Sequence, residues 1–566
     1  MARRPSNLIY GVDDRPPAVT LLLLGLQHVS AMTSTLVLPV VIVASAGRPP
    51  SEAAALIQMS MVAAGIGTAL QARSRGPVGS GYLCPMGIGP AWFGASSMAF
   101  RAGGAGLLFG MTALAGVMEA LFSRAVTRLR PLFPPELLGV VVTMVGVELV
   151  VPGARNLLAL DAPAGARGAP VALGFLTLGV MAAFTVWGKG KLRLFAMLLG
   201  LALGYAAAVL AGLLAPEARA QLAGPWFALP ARAAAGWSLD PAYLLPFAIA
   251  TLCSSLKGIG DLTICQKIND ADWKRADMGN LSRGLLADGT ANVLSGLLGG
   301  MGLSTFSSNV GLSIASGATS RVIGVAAGAL FAALAFVPKL AALLVVMPRP
   351  VMGALVVYVA SFMVVAGVQL IASRMLDARR TFVVGTSFVL GLSALLVPEA
   401  YAAVPGVLRP IVASSLALAT LVAIALNAVF HLGLRRTLAA EVVPGPSAPE
   451  EAWRFLERCG AAWGARPEVV RRASGALTEL AGAVSSLGLA KGPLRVEGVF
   501  DELNLDVAVT YPGAPLLLST QRPEAEALED DAGMAALAGY LVARQADGAR
   551  SEERDGRCRI DLHFVH

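Results

Sequence analysis

The sequence predicts an all-α polytopic membrane protein with about fourteen transmembrane spans, followed by a small cytoplasmic α/β domain. Three observations support this fold class. Apolar residues make up 56% of the 566 residues and charged residues only 14%, whereas roughly 25% of a soluble domain is charged. Apolar runs recur along most of the chain, and the composition becomes soluble in character beyond residue 440. Lipid is therefore the expected solvent for most of this surface.

The apolar runs set the number of spans. A helix needs roughly twenty apolar residues to cross about 30 Å of hydrocarbon, and eleven regular runs come close to that length. Three further runs, at 84–99, 285–300 and 305–315, are Gly-rich and less regular. The regular runs begin near Ala18, Ala53, Ala105, Leu137, Val171, Leu194, Leu244, Val322, Val351, Val383 and Val412.

Lysine and arginine residues indicate the orientation. They precede the first span and then cluster after every second one, for example at Arg73, Arg124 and Lys267. Cytoplasmic loops carry such an excess, so both termini are expected in the cytoplasm and the spans in the plasma (inner) membrane. Residues 1–440 carry a net charge of +15 and residues 441–566 one of −7. Because the loops account for the basic excess, no nucleic-acid partner is expected.

Two short segments interrupt the apolar pattern at matching places. One contains Cys84, Gly89 and Pro90, and the other runs from Ser304 to Gly311. They lie about 220 residues apart, so each is the third span of a seven-span half. Broken spans at corresponding positions favour two inverted repeats with a solute site between them. The alternative is a pair of ordinary re-entrant kinks.

Ionisable side chains within the spans are candidate functional groups, because a charge in a membrane is costly. Lys257 and Asp261 are spaced i, i+4, so they share one helix face and could pair. Asp288 opens the following span. His28, beside Gln27 in the first span, could gate a proton. The alternatives are a structural ion pair, a helix-start carboxylate and a histidine that only satisfies a hydrogen bond.

Other polar or reactive residues are expected to be structural. Glu119 and Glu136 are expected at the membrane interface. The five cysteines show no CxxC spacing, so they are expected as small core residues rather than metal ligands or disulfides. No metal site and no cofactor is predicted. Without a nucleophile–base pair or an intact phosphate loop in the sequence, an enzyme is not expected.

The composition divides the chain into domains. Residues 1–440 are predicted to form the transmembrane transporter domain, residues 441–449 a linker, and residues 450–566 the cytoplasmic α/β domain. Within that last part, 471–487 has helical periodicity, whereas 494–500, 504–509 and 558–565 alternate like strands.

Four motifs resemble the nucleobase–ascorbate transporter family, also called nucleobase:cation symporter-2. They are Leu8 to Pro17 with Gln27-His28 beyond, Lys257-Gly258-Ile259-Gly260-Asp261, Arg283-Gly284-Leu285-Leu286-Ala287-Asp288-Gly289, and Ser308-Asn309-Val310-Gly311. They occur in the order found in that family, across roughly residues 8–436.

The resemblance implies fourteen spans in two inverted seven-span repeats, a core and a gate domain, and often a homodimer in the lipid bilayer. It also implies proton-coupled uptake of uracil, xanthine, urate or a related base, held between spans three, eight and ten. The substrate-binding positions are then Lys257, Ser308, Asn309, Gly311, Gly89 and Pro90, and the proton-coupling or gating positions are Asp288, His28, Asp261 and Gln27.

Two positions depart from the family pattern. The family usually has Glu where Lys257 stands, and Gln or Glu where Ser308 stands. A lysine has only donors and a positive charge, so it cannot accept N–H bonds from a base as a glutamate would. These departures favour an anionic solute such as urate or another planar organic acid.

Residues 450–566 weakly resemble the histidine-kinase-like ATPase fold. Ala476-Leu477-Thr478-Glu479-Leu480 fits the first helix motif of that fold. Ala483 stands where its magnesium-binding Asn belongs, and Tyr511-Pro512-Gly513 lacks the acidic residue expected for adenine. The resemblance implies a degenerate domain that hydrolyses no ATP and serves as a regulatory or dimerising module with a cytoplasmic protein partner.

Two rival functions stay open. One is an organic or inorganic anion exchanger on the related sulfate-transporter fold, which substrate-independent anion currents would favour. The other is a membrane solute sensor that signals through the C-terminal domain, which a captured partner without measurable flux would favour.

Overall fold

A computed structural model describes most of the chain, and all structural statements below refer to its described part. That part comprises residues 4–6, 8–129, 134–189, 192, 195–214, 223–233, 235–273, 276–373, 376–405, 408–431, 436–501, 504–519, 521, 523, 531–554 and 556–565. Its residues form two compact units. The first contains Met1–Phe133, Leu137–Gln369 and Gly385–Ile424, and the second contains Pro134–Glu136, Leu370–Val384 and Ala425–His566.

Long apolar helices dominate the chain up to residue 431. In chain order the helices are α1 Ala18–Met32, α2 Val37–Ser45, α3 Pro50–Gln71, α4 Phe93–Leu129, α5 Pro135–Glu148, α6 Val150–Leu157, α7 Gly168–Val186, α8 Ala196–Leu210, α9 Leu244–Ile268, α10 Met278–Leu298, α11 Ser307–Ser316, α12 Arg321–Leu334, α13 Pro338–Val345, α14 Arg349–Ile371, α15 Ala378–Leu396, α16 Arg409–Val412 and α17 Ser415–His431.

The predicted polytopic fold is confirmed. Among the described residues, eight helical segments are long and apolar enough to cross a membrane, or nine if α12 and α13, which are bent by 75°, count as one span. One of them, Pro90–Ala125, holds two predicted spans, and Gly104 breaks the helix between them with φ 65°. The remaining predicted spans fall on the shorter apolar helices α8 and α17 and on the more polar α10 and α11. The total of about fourteen and the inverted repeat stay predictions.

Both interrupted segments contain a short strand followed by a helix. Strand β1, Met86–Ile88, precedes a 3₁₀ turn at Pro90–Trp92 and then α4, and strand β2, Leu303–Thr305, precedes α11. The strands pair antiparallel, with Gly87 opposite Ser304. Buried backbone groups need partners, and this pairing supplies them where the two spans are broken.

Glycines allow the helices behind these strands to approach closely. A Cβ on Gly116 of α4 would lie 2.4 Å from the backbone nitrogen of Val293, and one on Gly289 of α10 would lie 2.6 Å from that of Ala120. Real Cβ atoms do not approach backbone this closely, so α4 and α10 meet along these glycines. The contact fixes α10, which carries Asp288 and Asn292.

The second unit contains a five-stranded antiparallel sheet in the order β3-β4-β5-β7-β6. Its strands are β3 Arg436–Val442, β4 Leu494–Phe500, β5 Asn504–Pro512, β6 Gly548–Arg554 and β7 Arg557–Val565, and its helices are α18 Ala448–Trp463, α19 Pro467–Ser486 and α20 Asp531–Gln545. The predicted small α/β domain is thus present, with the three predicted strands in β4, β5 and β7. Strand β3 crosses the predicted domain boundary at residue 440.

Buried charges of the second unit are paired. Arg380 Nε lies 3.0 Å from Glu136 Oε1, with side chains 2% and 4% exposed, and Arg380 also donates to the Gly464 carbonyl at 3.1 Å. Glu136 is therefore buried against Arg380, and its expected position at the membrane interface stays a prediction. Asp377 pairs with Arg436 at 3.2 Å. Burial opposes ionisation of Asp377, yet the backbone N–H of Arg380 and the charges of Arg380, Arg379 and Arg436 lower its pKa.

The five cysteines are free and buried, as the sequence predicts for small core residues. In the second unit, burial raises the pKa of the Cys459 thiol to about 12. A thiol in that state is not reactive at neutral pH.

Candidate functional site

A cavity of about 230 Å³ lies in the first unit where the interrupted segments meet the longer helices. Its lining combines hydroxyls, one ammonium group and several aromatic or apolar side chains. The lining residues are Ser30, Ala31, Ser34, Thr35, Pro90, Met197, Leu198, Lys257, Phe306, Ser307, Ser308, Tyr358, Val359, Phe362 and Met363.

Two helical N-termini reach this cavity. Pro90 opens the 3₁₀ turn that leads into α4, and Ser307 opens α11. The first N–H groups of a helix lack intrahelical partners and carry the positive end of its dipole. Such ends favour anions and carbonyl oxygens. The antiparallel pairing of β1 and β2 places both ends at one site.

Lys257 and Asp261 form the predicted ion pair beside the N-terminus of α11. Lys257 Nζ lies 3.2 Å from Asp261 Oδ2, and the side chains are 16% and 5% exposed. Lys257 also donates to the carbonyl of Thr305, and its ammonium group lies 5.9 Å from the Phe306 ring centroid. The cation is thus oriented from three sides while one face remains open to the cavity.

Asp261 ties α9 to the second interrupted segment. Its Oδ2 accepts a hydrogen bond from Thr305 Oγ1 at 2.7 Å, and its Oδ1 accepts one from Ser307 Oγ at 2.6 Å. With Lys257, three donors satisfy this nearly buried carboxylate. Asp261 therefore fixes the start of α11 rather than facing the cavity itself.

Asp288 lies behind the pair. Gln71 Nε2 donates to its Oδ1 at 2.6 Å, whereas Oδ2 is buried and accepts no hydrogen bond from the described residues. A Cβ on Gly258 would lie 3.0 Å from this Oδ2, so the carboxylate abuts α9 directly after Lys257. A buried carboxylate with one unpartnered oxygen has room for a proton.

His28 and Asn309 form a second buried contact. His28 Nδ1 lies 3.2 Å from Asn309 Oδ1, and both residues are at most 1% exposed. Asn309 Nδ2 has no hydrogen-bond partner among the described residues. The contact joins the first span to α11, so these two residues orient the helix rather than line the cavity.

Glu119 is a buried polar residue that the sequence placed wrongly. It is fully buried, not interfacial, and it accepts hydrogen bonds from Ser255 Oγ at 2.9 Å and Asn292 Nδ2 at 2.7 Å. Asn292 also bonds both backbone groups of Leu303, at 2.6 Å and 3.1 Å. Glu119 therefore supports β2. Two signals in the sequence could have indicated this position. Glu119 lies deep within the apolar run that begins near Ala105, and Asp288 and Asn292 are spaced i, i+4.

Some of the predicted site residues line the cavity, and the others lie outside it. Lys257, Ser308 and Pro90 line the cavity. Gly89 stands directly before Pro90, and a Cβ there would lie 2.6 Å from Ser304 Oγ. Gly311 is exposed with open space around its Cα, and Gln27 is half-buried; neither lines the cavity. Residues added by the structure include Ser30, Ser34, Phe306, Tyr358 and Phe362.

The fold and this cavity define a polytopic membrane permease. The family model described as "Permease family" (Xan_ur_permease) matches residues 19–400. The chain therefore belongs to this permease family, whose members are transporters and not enzymes.

Named relatives support the same assignment. The chain is 28% identical over 444 residues to the xanthine permease XanP of Escherichia coli (strain K12), covering 75% of this chain and 95% of that protein. It is 28% identical over 424 residues to the uric acid permease PucK of Bacillus subtilis (strain 168), covering 73% and 96%.

A solved structure shares the fold. The murine anion transporter Slc26a9 in its inward-facing state superposes with a TM-score of 0.51 at 10% identity, covering 80% of this chain and 79% of that one. At this identity the likeness concerns the fold alone.

Proposed function

We propose that the protein is a secondary transporter that takes up an oxopurine such as xanthine or urate together with a proton, and that it favours the anionic form of the solute. The observation that carries this proposal is the position of Lys257, on the wall of a small cavity that two helical N-termini also reach. The relatives named for xanthine and uric acid supply the solute class.

The cavity suits a small planar solute. Its volume of about 230 Å³ lies below the range of roughly 300–1,000 Å³ typical of drug-sized ligands. Phe306, Tyr358 and Phe362 contribute aromatic faces, with the Tyr358 and Phe362 ring centroids 4.9 Å apart. Aromatic side chains pack well against flat rings. Hydroxyls of Ser30, Ser34 and Ser308 then offer directional hydrogen bonds.

The charges of the cavity favour an acceptor-rich solute. Lys257 offers only donors, and the positive dipole ends at the starts of the turn before α4 and of α11 add partial positive charge. Asp261 balances the ammonium group but directs its own oxygens toward Thr305, Ser307 and Lys257. An enolate oxygen or carbonyl of an oxopurine matches such a wall better than an N–H edge would.

Proton coupling is assigned to Asp288, with His28 as a second candidate. One buried oxygen of Asp288 accepts no hydrogen bond within the described part of the chain, and it abuts α9 beside Lys257. The proton occupancy of Asp288 and the charge of the solute site are therefore electrostatically linked. His28 contacts Asn309, which directly follows Ser308 in the sequence. Gln27, which directly precedes His28 on α1, is proposed to assist gating.

We also propose a homodimer in the plasma (inner) membrane with both termini cytoplasmic. The small domain, a degenerate ATPase-like module, then offers a site for a cytoplasmic protein partner. The basic residues that follow every second predicted span support this orientation.

An uptake assay tests the proposed function. Purified protein in proteoliposomes with an inward proton gradient is offered xanthine, urate and uracil, and Lys257→Glu is compared with the wild type. We expect wild-type uptake of xanthine or urate to exceed that of uracil and to fall when the gradient is dissipated. Lys257→Glu is expected to lose urate uptake at least tenfold, because the substitution reverses the charge on the cavity wall.

The matched control is Lys339→Glu, because Lys339 stacks on Trp226 and does not line the cavity. It should leave solute preference unchanged. Uptake that ignores the proton gradient would contradict the coupling, and an unchanged preference in Lys257→Glu would remove Lys257 from the solute site. Substrate-independent anion currents would instead favour the rival anion exchanger on the sulfate-transporter fold.

A further inference from the structure

A second and larger cavity, of about 600 Å³, follows the solute cavity along the same two helices. On α4 and the turn before it, Pro90 lines the solute cavity while Phe93 and Arg101 line the larger one. On α14, Tyr358 lines the first and Arg349 and Met352 the second. Both cavities therefore lie along one helical interface.

Buried residues occupy the interval between the cavities. Trp92 and Leu355, which stand between the two linings on their respective helices, are 0% and 2% exposed. These buried side chains separate the two cavities. The larger cavity thus lies where the closed side of an alternating-access transporter is expected. The predicted topology, in which the third span runs outward to Arg101, places it on the external side.

The larger cavity carries an excess of positive charge. Three arginines and two carboxylates line it, which leaves a net charge of +1. Asp161 is already shared by Arg155 at 3.0 Å and Arg349 at 2.9 Å. Glu148 accepts hydrogen bonds from Ser414 Oγ at 2.8 Å and from the Leu416 backbone at 3.1 Å, so its carboxyl group is held at the start of α17.

Arg101 is the cation that remains. It is exposed, and it forms no ion pair with any of the residues that the structure describes. An unmatched guanidinium on the wall of a concave cavity contributes a positive potential there and raises the local concentration of anions. Because a guanidinium binds carboxylate-like and enolate oxygens in a planar, bidentate manner, its preferred ligand is a small organic anion.

We propose that the larger cavity is an external vestibule that recruits the anionic solute, and that Arg101 is its specificity-determining residue. The proposal rests on the proposed function for the identity of the solute as an oxopurine anion. It adds a site that acts before the solute reaches Lys257. Arg101 acts on capture, whereas Lys257 acts on the bound solute.

Thiol labelling tests the potential of the vestibule without any transport. Ala44 lines the vestibule and is exposed, and all native cysteines are buried, so Ala44→Cys introduces one accessible thiol. Methanethiosulfonate reagents of opposite charge are then compared. We expect the negatively charged reagent to react faster, and Arg101→Gln to lower its rate relative to the positive reagent about three- to tenfold. Arg101→Lys should restore the ratio.

The control is Arg48→Gln. Arg48 is exposed, pairs with Glu52 at 2.8 Å and lines a different cavity, so its loss should leave the labelling ratio unchanged. If Arg101→Gln also leaves the ratio unchanged, the vestibule has no selective potential and the proposal is overturned.

Uptake kinetics test the role in solute capture. Arg101→Gln is expected to raise the KM for urate about three- to tenfold, with kcat unchanged, and to flatten the dependence of urate uptake on salt concentration. Uptake of uncharged uracil should not change. An equal loss for both solutes would contradict recruitment of anions. If the wild type carries no oxopurine yet the labelling ratio responds to Arg101, the proposed function fails while the anion vestibule stands.

Discussion

The two interrupted segments share a backbone arrangement but differ in chemistry. In the first, apolar β1 leads through Gly89 to Pro90, which offers no side-chain donor. In the second, β2 leads to Ser307, Ser308 and Asn309. The antiparallel pairing of β1 with β2 is nearly symmetric. The recognition chemistry, however, is concentrated at the second segment.

Neighbouring helices reinforce this difference. Lys257 and Asp261 bond Thr305 and Ser307 of the second segment, and Asn292 bonds both backbone groups of Leu303. Trp92 of the first segment also donates to the Leu303 carbonyl, at 3.0 Å. The first segment thus supplies shape and a helix dipole, while the second is held in place and supplies side chains. The following predictions would break or sharpen this contrast.

The largest expected effect comes from Asp261→Ala. The substitution leaves the Lys257 ammonium group, which is 16% exposed, without its counter-ion, and removing one partner of a buried pair costs about 3–5 kcal/mol. Thermal unfolding in detergent should show a strongly destabilised protein. Asp13→Ala is the control, because Asp13 is 85% exposed in its pair with Arg321 and a surface pair contributes about 0–1 kcal/mol. Equal melting temperatures for the two variants would contradict the structural role of Asp261.

A smaller effect is expected from Gly89→Ala. The new Cβ would lie 2.6 Å from Ser304 Oγ and 2.7 Å from Trp92 Cδ1, and overpacking of this kind costs about 1–3 kcal/mol. Uptake should fall because the segments must separate. Gly311→Ala on α11 meets open space and should retain uptake. If Gly89→Ala retained uptake, the first segment would not set the shape of the site where the two interrupted segments meet.

Asn292→Ala tests the support of β2. It leaves the Leu303 N–H and one oxygen of Glu119 without partners, and each unsatisfied buried group costs about 1–3 kcal/mol. The melting temperature should fall, and hydrogen exchange at Leu303 should become faster. Thr290→Ala on the same helix removes only a bond to the Leu286 carbonyl and should change little. A comparable loss in both variants would indicate a general effect on α10.

The smallest effect is expected from Ser308→Ala. Ser308 lines the cavity, and a single hydrogen bond to the solute contributes about 0.5–1.5 kcal/mol. The KM for xanthine should rise by up to about tenfold without a change in melting temperature. Ser316→Ala, which removes only a bond to the Leu312 carbonyl at 2.8 Å, should leave the KM unchanged. No change for Ser308 would place the solute elsewhere.

Much of the fold could be predicted because its signals are local. Apolar runs indicate the segments that face lipid, and basic clusters indicate the orientation in the membrane. The i, i+4 spacing of Lys257 and Asp261 was enough to predict their ion pair. The interrupted segments were visible as Gly and Pro where a span should continue. Strand β3 was missed because Arg436–Val442 directly follows the last span and alternates only weakly.

The tertiary contacts of the site could not be read from the sequence. Strands of three residues carry no pattern that fixes the register of Gly87 opposite Ser304. Glu119 was misplaced because hydropathy cannot distinguish a lipid interface from a buried bond to Asn292 on another helix. The open surroundings of Gly311 and the inward position of His28 likewise depend on how the helices pack.

Solute protection of an introduced thiol tests the location of the site most directly. Ser308→Cys places a thiol on the cavity wall, and Gly311→Cys places one on the same helix, exposed but outside the cavity. Both variants are labelled with a small maleimide with and without xanthine or urate. We predict that the solute slows labelling of Ser308→Cys at least fivefold and leaves Gly311→Cys unaffected. Equal labelling of Ser308→Cys with and without solute would contradict a solute site at the start of α11.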